Sequence, residues 1–337
     1  APAFKNRAAY IGKVFLYKEI NGEWRNFALI NNPNRTHNLF GIQVVFSGDG
    51  KTLAIASANS ATDNVVSDAA IHIYKKRKKN WVHEHSIASA DFYDFSEIDP
   101  TSPIKFALSY SGNKIAVAQK GKIAIFVPNV NKQKKRKRKR KRRRKVIRQK
   151  WILAHTLNAL DPSPGSLFAV DLKFAKNGLL LVSETPLNVV TDPKAISQEN
   201  RSLGAIYIFS KIDKHWEPIQ KLVPYGGKIR HFGQKIDVSS DGNIILVGAM
   251  ESRGISHQWN IFYLFMKQDG QWHSSKKIII QEEPERYLAT ETVSLKLVKP
   301  ENKRLIIFAG TYNDNNPEKK LAEEPGAVHI FEAEIKN

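Results

Sequence analysis

Four acidic side chains crowd the segment "SADFYDFSEIDP": Asp91, Asp94, Glu97 and Asp99. Paired carboxylates are what glycoside hydrolysis needs, one as acid and the other as base or nucleophile. The same segment carries Phe92, Tyr93 and Phe95, and aromatic anchors in an acidic surface loop fit a binding contact better than a catalytic pair. Phe92, Tyr93 and Phe95 are therefore the candidate partner-binding residues. A second chemistry is the capture of polyanions. From Lys132 to Lys150 the chain has 15 Lys or Arg and no acid, and a shorter run, Lys75, Lys76, Arg77, Lys78 and Lys79, precedes it.

The candidate polyanion-binding residues are those five together with Lys134, Lys135, Arg136, Lys137, Arg138, Lys139, Arg140, Lys141, Arg142, Arg143, Arg144 and Lys145. Cations at this density displace the counterions of a polyanion, and the affinity falls steeply with salt. Anionic glycans, nucleic acid and anionic lipid head groups all qualify. The run has no interleaved aromatics for base stacking, so no sequence-specific reading of nucleic acid is expected. The same string has the composition of a nuclear import signal, and equally of a low-complexity expansion tolerated on a surface loop.

Other chemistry is thinner. His83 and His85 alternate, which places them on one face of a strand, but no third metal ligand accompanies them. The absence of cysteine excludes disulfides, thiolate metal sites and a thiol nucleophile. No nucleophile elbow, P-loop or dinucleotide fingerprint is present. No catalytic residue, metal or cofactor is expected. The formal net charge is +21, of which the run supplies 15, leaving 21 − 15 = +6 for the rest. The basicity thus belongs mostly to one segment. No stretch approaches the ~18 uninterrupted apolar residues of a membrane span, so a soluble monomer without a transmembrane segment is expected. The Ala-Pro-Ala start fits either a mature chain after signal cleavage or an arbitrary boundary.

The elements that position these residues are repeats. "GKVFLY" at Gly12, "AAIHIY" at Ala69, "GKIAIF" at Gly121, "GAIYIF" at Gly204, "NIFYLF" at Asn260 and "GAVHIF" at Gly326 are β-rich runs ending in an aromatic. A tryptophan follows the first five: Trp24, Trp81, Trp151, Trp216 and Trp272. It falls 12 residues after the segment start in four of them and 30 in the third. Between these segments lie strand–turn–strand units such as "FGIQVVFSGDGKTLAIASA" from Phe40 and "FGQKIDVSSDGNIILVGA" from Phe232, with turn residues that tolerate positive φ. A four-stranded unit recurring five times predicts an all-β fold: a β-propeller of five blades across residues 1–337, or six or seven if the chain is a fragment. The 18 extra residues of the third repeat place the basic run, residues 128–149, as a disordered insertion in that blade's outer hairpin turn. The other repeats have six-residue turns there. The "KKRKK" run occupies the equivalent turn of the preceding blade, so the two should form one basic patch. Acid-rich connections carrying Glu282, Glu283, Glu285, Glu323 and Glu324 should lie on the opposite face.

The order Phe40-Gly41, strand, turn, strand, and Phe232-Gly233 through Val247-Gly248-Ala249 to "GAIYIF"-type segments resembles the FG-GAP repeat of integrin-α-type propellers. "FSGDGKTLAIAS" also resembles WD40-like strands. The FG-GAP resemblance implies an extracytoplasmic (periplasmic, surface or secreted) adhesion or binding module whose partner is a protein or an anionic polymer. Two alternatives stand beside it: an extracytoplasmic propeller hydrolase acting on glycans, and an intracellular WD40-like scaffold sent to the nucleus by its basic run. Many FG-GAP members carry a calcium loop rich in aspartate. Here the corresponding turns hold at most one carboxylate each, and calcium needs six to eight oxygens, so none is expected.

Overall fold

The computed structural model describes residues 5–6, 9–10, 12–34, 39–60, 66–78, 80–91, 104–119, 121–129, 150–158, 166–186, 204–226, 229–253, 257–279, 287–288, 294–298, 304–311, 314–315 and 327–334. The chain divides into two compact units, one of Ala1–Gln119 and Ile123–Leu157, the other of Lys120–Lys122 and Asn158–Asn337. Apart from one 3-10 turn at Ser89–Asp91, the described regular elements are strands.

In the first unit β1 (Lys5–Asn6) and β2 (Ala9–Tyr10) form a short ladder, and β3 (Lys13–Ile20) and β4 (Glu23–Asn31) form a hairpin. Next comes a four-stranded sheet of β5 (Leu39–Phe46), β6 (Thr52–Ser60), β7 (Val66–Arg77) and β8 (Asn80–Ala88). A second contains β9 (Phe106–Leu108), β10 (Ile115–Gln119), β11 (Lys122–Pro128) and β12 (Trp151–Asn158). The second unit has one sheet of β13 (Ser166–Phe174), β14 (Leu180–Pro186), β15 (Ala205–Ile212) and β16 (His215–Leu222). Another is β17 (Ile229–Val238), β18 (Ile244–Arg253), β19 (His257–Gln268) and β20 (Gln271–Ile279). A two-strand ladder joins β21 (Tyr287–Leu288) to β24 (Asp314–Asn315), and a three-stranded sheet holds β22 (Ser294–Val298), β23 (Arg304–Thr311) and β25 (Ala327–Glu334). Sequential strands are neighbours in every sheet of four, the meander expected of a propeller blade. Five sheets contain an inner strand pair, consistent with the expected five blades.

The second strand of each sheet explains why these sequences stack. Leu53 to Ala58 in β6 are buried throughout, as a strand covered on both faces must be. In the first unit Ala54, Ala56, Ile71 and Ile73 join Phe106, Ile115, Val117 and Trp151 in one core. A second core sets Val14, Leu16 and Ile30 of the β3–β4 hairpin against Phe40, Leu53, Ile55 and Tyr74. In the second unit Leu181, Ile206 and Ile208 pack with Phe232, Val247, Tyr263 and Trp272.

Polar side chains tie neighbouring sheets at repeated positions. The Gln43 amide brackets Phe106, donating to its carbonyl at 2.9 Å and accepting its N–H at 3.2 Å. Asp171, at the same place in the repeat, accepts the N–H of Ile236 at 3.0 Å. On the outer strands Gln220 brackets Trp272 in the same way, at 2.6 and 2.8 Å.

The outer hairpins differ from expectation. Pairing continues to Ile20↔Glu23, Ile212↔His215 and Gln268↔Gln271, so each turn has two residues instead of six. Asn21-Gly22, Asp213-Lys214 and Asp269-Gly270 all have positive φ, between 45° and 85°. These are type I′ turns, whose twist matches that of the flanking strands. Just beyond each turn the fourth strand carries one extra residue. The register shifts fall at Leu16/Tyr17, Ile73/Tyr74, Ile208/Phe209 and Leu264/Phe265, the same repeat position each time.

Candidate functional site: the outer turns of the first unit

The β7–β8 turn presents its cations unevenly. Lys75 faces inwards: its Nζ donates to Thr52 Oγ1 at 2.7 Å and to the Gly112 carbonyl at 2.9 Å. Burial depresses its pKa, while the Glu84 and Asp49 charges oppose that and Arg77 adds to it. Lys75 therefore staples the β6–β7 edge to the β9–β10 turn. Arg77 sends Nη2 to 3.5 Å from Glu84 Oε1, with a guanidinium side chain that remains 57% exposed. Lys76 and Lys78 are exposed, Lys78 at the turn apex with φ of 56°. Among the described residues of this run, Lys76, Arg77 and Lys78 face solvent; Lys79 lies outside the described residues.

The long run sits on a defined base. β11 and β12 are neighbours, and the N–H of Asn129 donates to the carbonyl of Lys150 at 2.7 Å. That bond sits where the other outer hairpins close their two-residue turns, so residues 130–149 replace such a turn. Lys134 to Lys145 lie outside the described residues. Lys150 is exposed, and its charge helps to lower the pKa of His85 on β8. The foot of the run thus stands within electrostatic reach of the strand that begins at the β7–β8 turn.

Several sequence expectations meet the structure here. His83 and His85 do not share a face. The bulge pairs Tyr74 with His83 and Ile73 with His85, so Glu84 is the extra residue and the two histidines point to opposite sides. His83 packs edge-on to Tyr74, with ring centroids 5.2 Å apart. Asp91 caps the 3-10 turn, its Oδ2 accepting the Ala88 N–H at 3.0 Å. Phe92, Tyr93, Phe95, Asp94, Glu97 and Asp99 lie outside the described residues, as do Glu282, Glu283, Glu285, Glu323 and Glu324. In the inner turns the lone carboxylate serves the turn itself. Asp49 Oδ1 accepts from Ser47 Oγ at 2.6 Å and from the Lys51 N–H at 3.0 Å. Asp241 does the same for Ser239 and Asn243. Partial burial pushes the Asp49 pKa up, but those hydrogen bonds with the Lys51 and Lys75 charges together bring it below the usual value.

Sequence reasoning missed a polar chain in the β5–β8 sheet. Ser57 Oγ lies 2.7 Å from His72 Nε2, Ser86 Oγ lies 2.8 Å from His72 Nδ1, and His83 Nε2 lies 2.9 Å from Ser86 Oγ. Serine beside histidine is the composition of a nucleophile and its base. Ser57 and His72 are, however, 0% and 1% exposed, under the covering β3–β4 hairpin. The chain satisfies buried polar groups. The repeat gives it little signal, because the position of His72 is filled elsewhere by Phe15, Ala124, Tyr207, Tyr263 and His329.

Comparison with known proteins adds the fold. The structure is similar to AofleA of Arthrobotrys oligospora, solved in a mutant form, with TM-score 0.50 and 12% identity over 93% of this chain and 75% of that one. The fold is that of a β-propeller. Lower similarity extends to the β-propeller domain of the trilobed protease of Pyrococcus furiosus, at TM-score 0.39 and 13% identity over 84% of this chain. A hypothetical selenium-binding protein of Sulfolobus tokodaii gives TM-score 0.47 and 10% identity over 90% of this chain. The chain spans 65% of each of these two, less than two thirds of their length. No family model matches the sequence, and no curated protein does. Among the described residues, no helix is long and apolar enough to cross a membrane.

Proposed function

We propose that the chain is a non-enzymatic propeller that binds polyanions through the outer turns of its first unit. One observation carries the reading: the bond from the Asn129 N–H to the Lys150 carbonyl closes the β11–β12 hairpin, so the segment between them leaves the sheet at a single point. Fourteen cations of the run thus spring from one foot, on the sheet that shares a core with the sheet whose outer turn exposes Lys76, Arg77 and Lys78. The ligand class is a flexible or double-stranded polyanion: an anionic glycan, nucleic acid or an anionic lipid surface.

The proposal extends to the resemblance with FG-GAP repeats. Phe40, Phe168 and Phe232 lie in the first halves of β5, β13 and β17 and pack on their own sheet's third strand, which supports that kinship. An extracytoplasmic setting and a protein partner follow from it. The sealed Ser57–His72 pair and the capping role of Asp91 support the non-enzymatic reading.

The test replaces residues 130–149 with Asn-Gly, the turn chemistry of the sister hairpins. Retention on heparin and binding to duplex DNA are compared at ~150 mM salt, where exposed charges are already partly screened. The replacement should abolish both while leaving the melting temperature unchanged. Equal binding by the two proteins would refute the proposal.

A further inference from the structure

The sheets of the second unit show what the last row of a second and third strand ordinarily holds. In the β17–β20 sheet the Lys267 N–H donates to the Asn243 carbonyl at 2.8 Å, and the Lys267 ammonium lies 4.3 Å from the centre of the Trp272 ring. In the β13–β16 sheet the register Leu180↔Phe209 sets Lys211 opposite Gly178. Each lysine thus faces a neutral residue. The β5–β8 sheet breaks that pattern. The Lys76 N–H donates to the Lys51 carbonyl at 2.9 Å, so two exposed lysines stand opposite each other. Like charges directly opposite on neighbouring strands destabilise the pair.

The adjoining turn breaks a second rule. Its first residue is Asn21, Asp213 or Asp269 in the sister hairpins, with φ of 54°, 45° and 51°. Asn and Asp tolerate the left-handed region because their short polar side chains bond locally. Lys78 takes that place in the β7–β8 turn, with φ of 56°. Lysine has no short polar group to repay the strain. Both departures add positive charge to the same end of one sheet, and broken local rules gather where a protein does its work. The carboxylates of that end are already engaged. Asp49 Oδ1 accepts from Ser47 Oγ and the Lys51 N–H, and Glu84 Oε1 faces Arg77. Five cations, Lys51, Lys75, Lys76, Arg77 and Lys78, thus stand against these two acids.

We propose that Lys51, Lys76 and Lys78 form a fixed site for one tetrahedral oxyanion, a sulfate or phosphate ester group of the polyanion, separate from the long run. The site rests on the polyanion-binding reading and adds to that surface Lys51, a lysine that no charge run marks in the sequence. An oxyanion between Lys51 and Lys76 offsets their repulsion, and its several oxygens accept from three ammonium groups at once. The long run gathers the polymer by charge alone. The paired backbone under Lys51 and Lys76 holds one group of it in place, and the two contacts reinforce each other on one ligand.

The probe is inorganic tripolyphosphate, with a heparin-derived hexasaccharide as the sulfate arm. Each is titrated into the full chain carrying Asn-Gly in place of residues 130–149. At ~20 mM salt, where screening is weak, the NMR signals of the Lys76, Arg77 and Lys78 amides should shift and saturate. Saturation by one arm alone assigns the site to that ester. Lys51→Asn and Lys78→Asn, which install residues used by the sister sheets, should each raise the Kd about fivefold, the size of one exposed ion contact. Each should also raise the melting temperature of the free protein, because repulsion or turn strain is relieved. Lys214→Asn removes an equal charge from an exposed outer turn of the second unit and should leave the Kd unchanged. Absence of saturation, or an equal loss on Lys51→Asn and Lys214→Asn, overturns the site. Heparin retention of the intact chain separates the site from the reading beneath it. Retention lost with the run but unmoved by Lys51→Asn overturns the site and leaves polyanion binding standing; retention that survives both changes overturns both.

Discussion

The main-chain N–H of Asn129 lies 2.7 Å from the carbonyl of Lys150, and between these two residues runs almost the whole of the long basic segment. The bond closes an ordinary outer hairpin. The propeller therefore keeps its strand register across the insertion, and the fold and the run can be altered independently.

That independence predicts a clean separation at Lys75. Its ammonium is engaged by Thr52 Oγ1 and the Gly112 carbonyl, so Lys75→Met removes a donor from two buried acceptors. Chemical denaturation should show a loss of about 1–3 kcal/mol. Heparin retention should stay at the parental value, whereas the double change Lys76→Ala, Lys78→Ala, which spares the Arg77–Glu84 pair, should lower retention at unchanged stability.

The same inter-sheet seam is tight at Gly112. It has φ of +62°, and an added Cβ would collide with Thr52 Oγ1 and Cβ. Gly112→Ala should cost about 3 kcal/mol, combining left-handed strain with overpacking. Gly22→Ala shares the positive φ but meets nothing within 4 Å, and should cost only about 1–2 kcal/mol. Thermal melts of the pair read the difference.

How much of this was legible in the sequence depends on what each residue does. The strand spacing and the tryptophan offset reveal the repeat, because burial of every third strand demands an apolar alternation that recurs. The offset also places the basic run, since the extra residues fall between Phe126 and Trp151. The bulge in the fourth strand is silent: it is filled by Phe27, Glu84, Ile219 and Ser275, which share no chemistry. That silence is why His83 and His85 read as one face and the outer turns read as six residues. The Gln43 and Gln220 brackets are equally hidden, because their partners are backbone groups of the next sheet, over 50 residues away.

Gln220 offers a direct test of those brackets. Its amide satisfies both the N–H and the carbonyl of Trp272. Gln220→Ala should destabilise the second unit by about 1–3 kcal/mol by leaving both groups without their partner. Hydrogen exchange should show the faster opening at the Trp272 amide first.

His85 supplies a pH dependence. Burial lowers its pKa most, the Asp91 charge opposes that, and the Lys150 charge lowers it further. Below the unfolded value of 6.5 the unfolded chain binds the proton before the folded chain does. Stability should therefore fall as pH drops from 6.5 to the folded pKa and level off below it. His85→Gln should flatten that decline. Lys150→Gln should raise the His85 pKa, followed by its ring proton resonance, because a neighbouring positive charge is removed. No shift on Lys150→Gln would place the foot of the run away from β8.

The central claim is that the run is a polyanion contact, and its most direct measurement is the salt dependence of binding to a short DNA duplex. The slope of log K against log salt is about −0.9 for each phosphate neutralised. The intact chain should show a steep slope, and the protein with Asn-Gly in place of residues 130–149 should show one shallower by about 3 or more. Identical slopes and affinities for the two proteins would contradict the account.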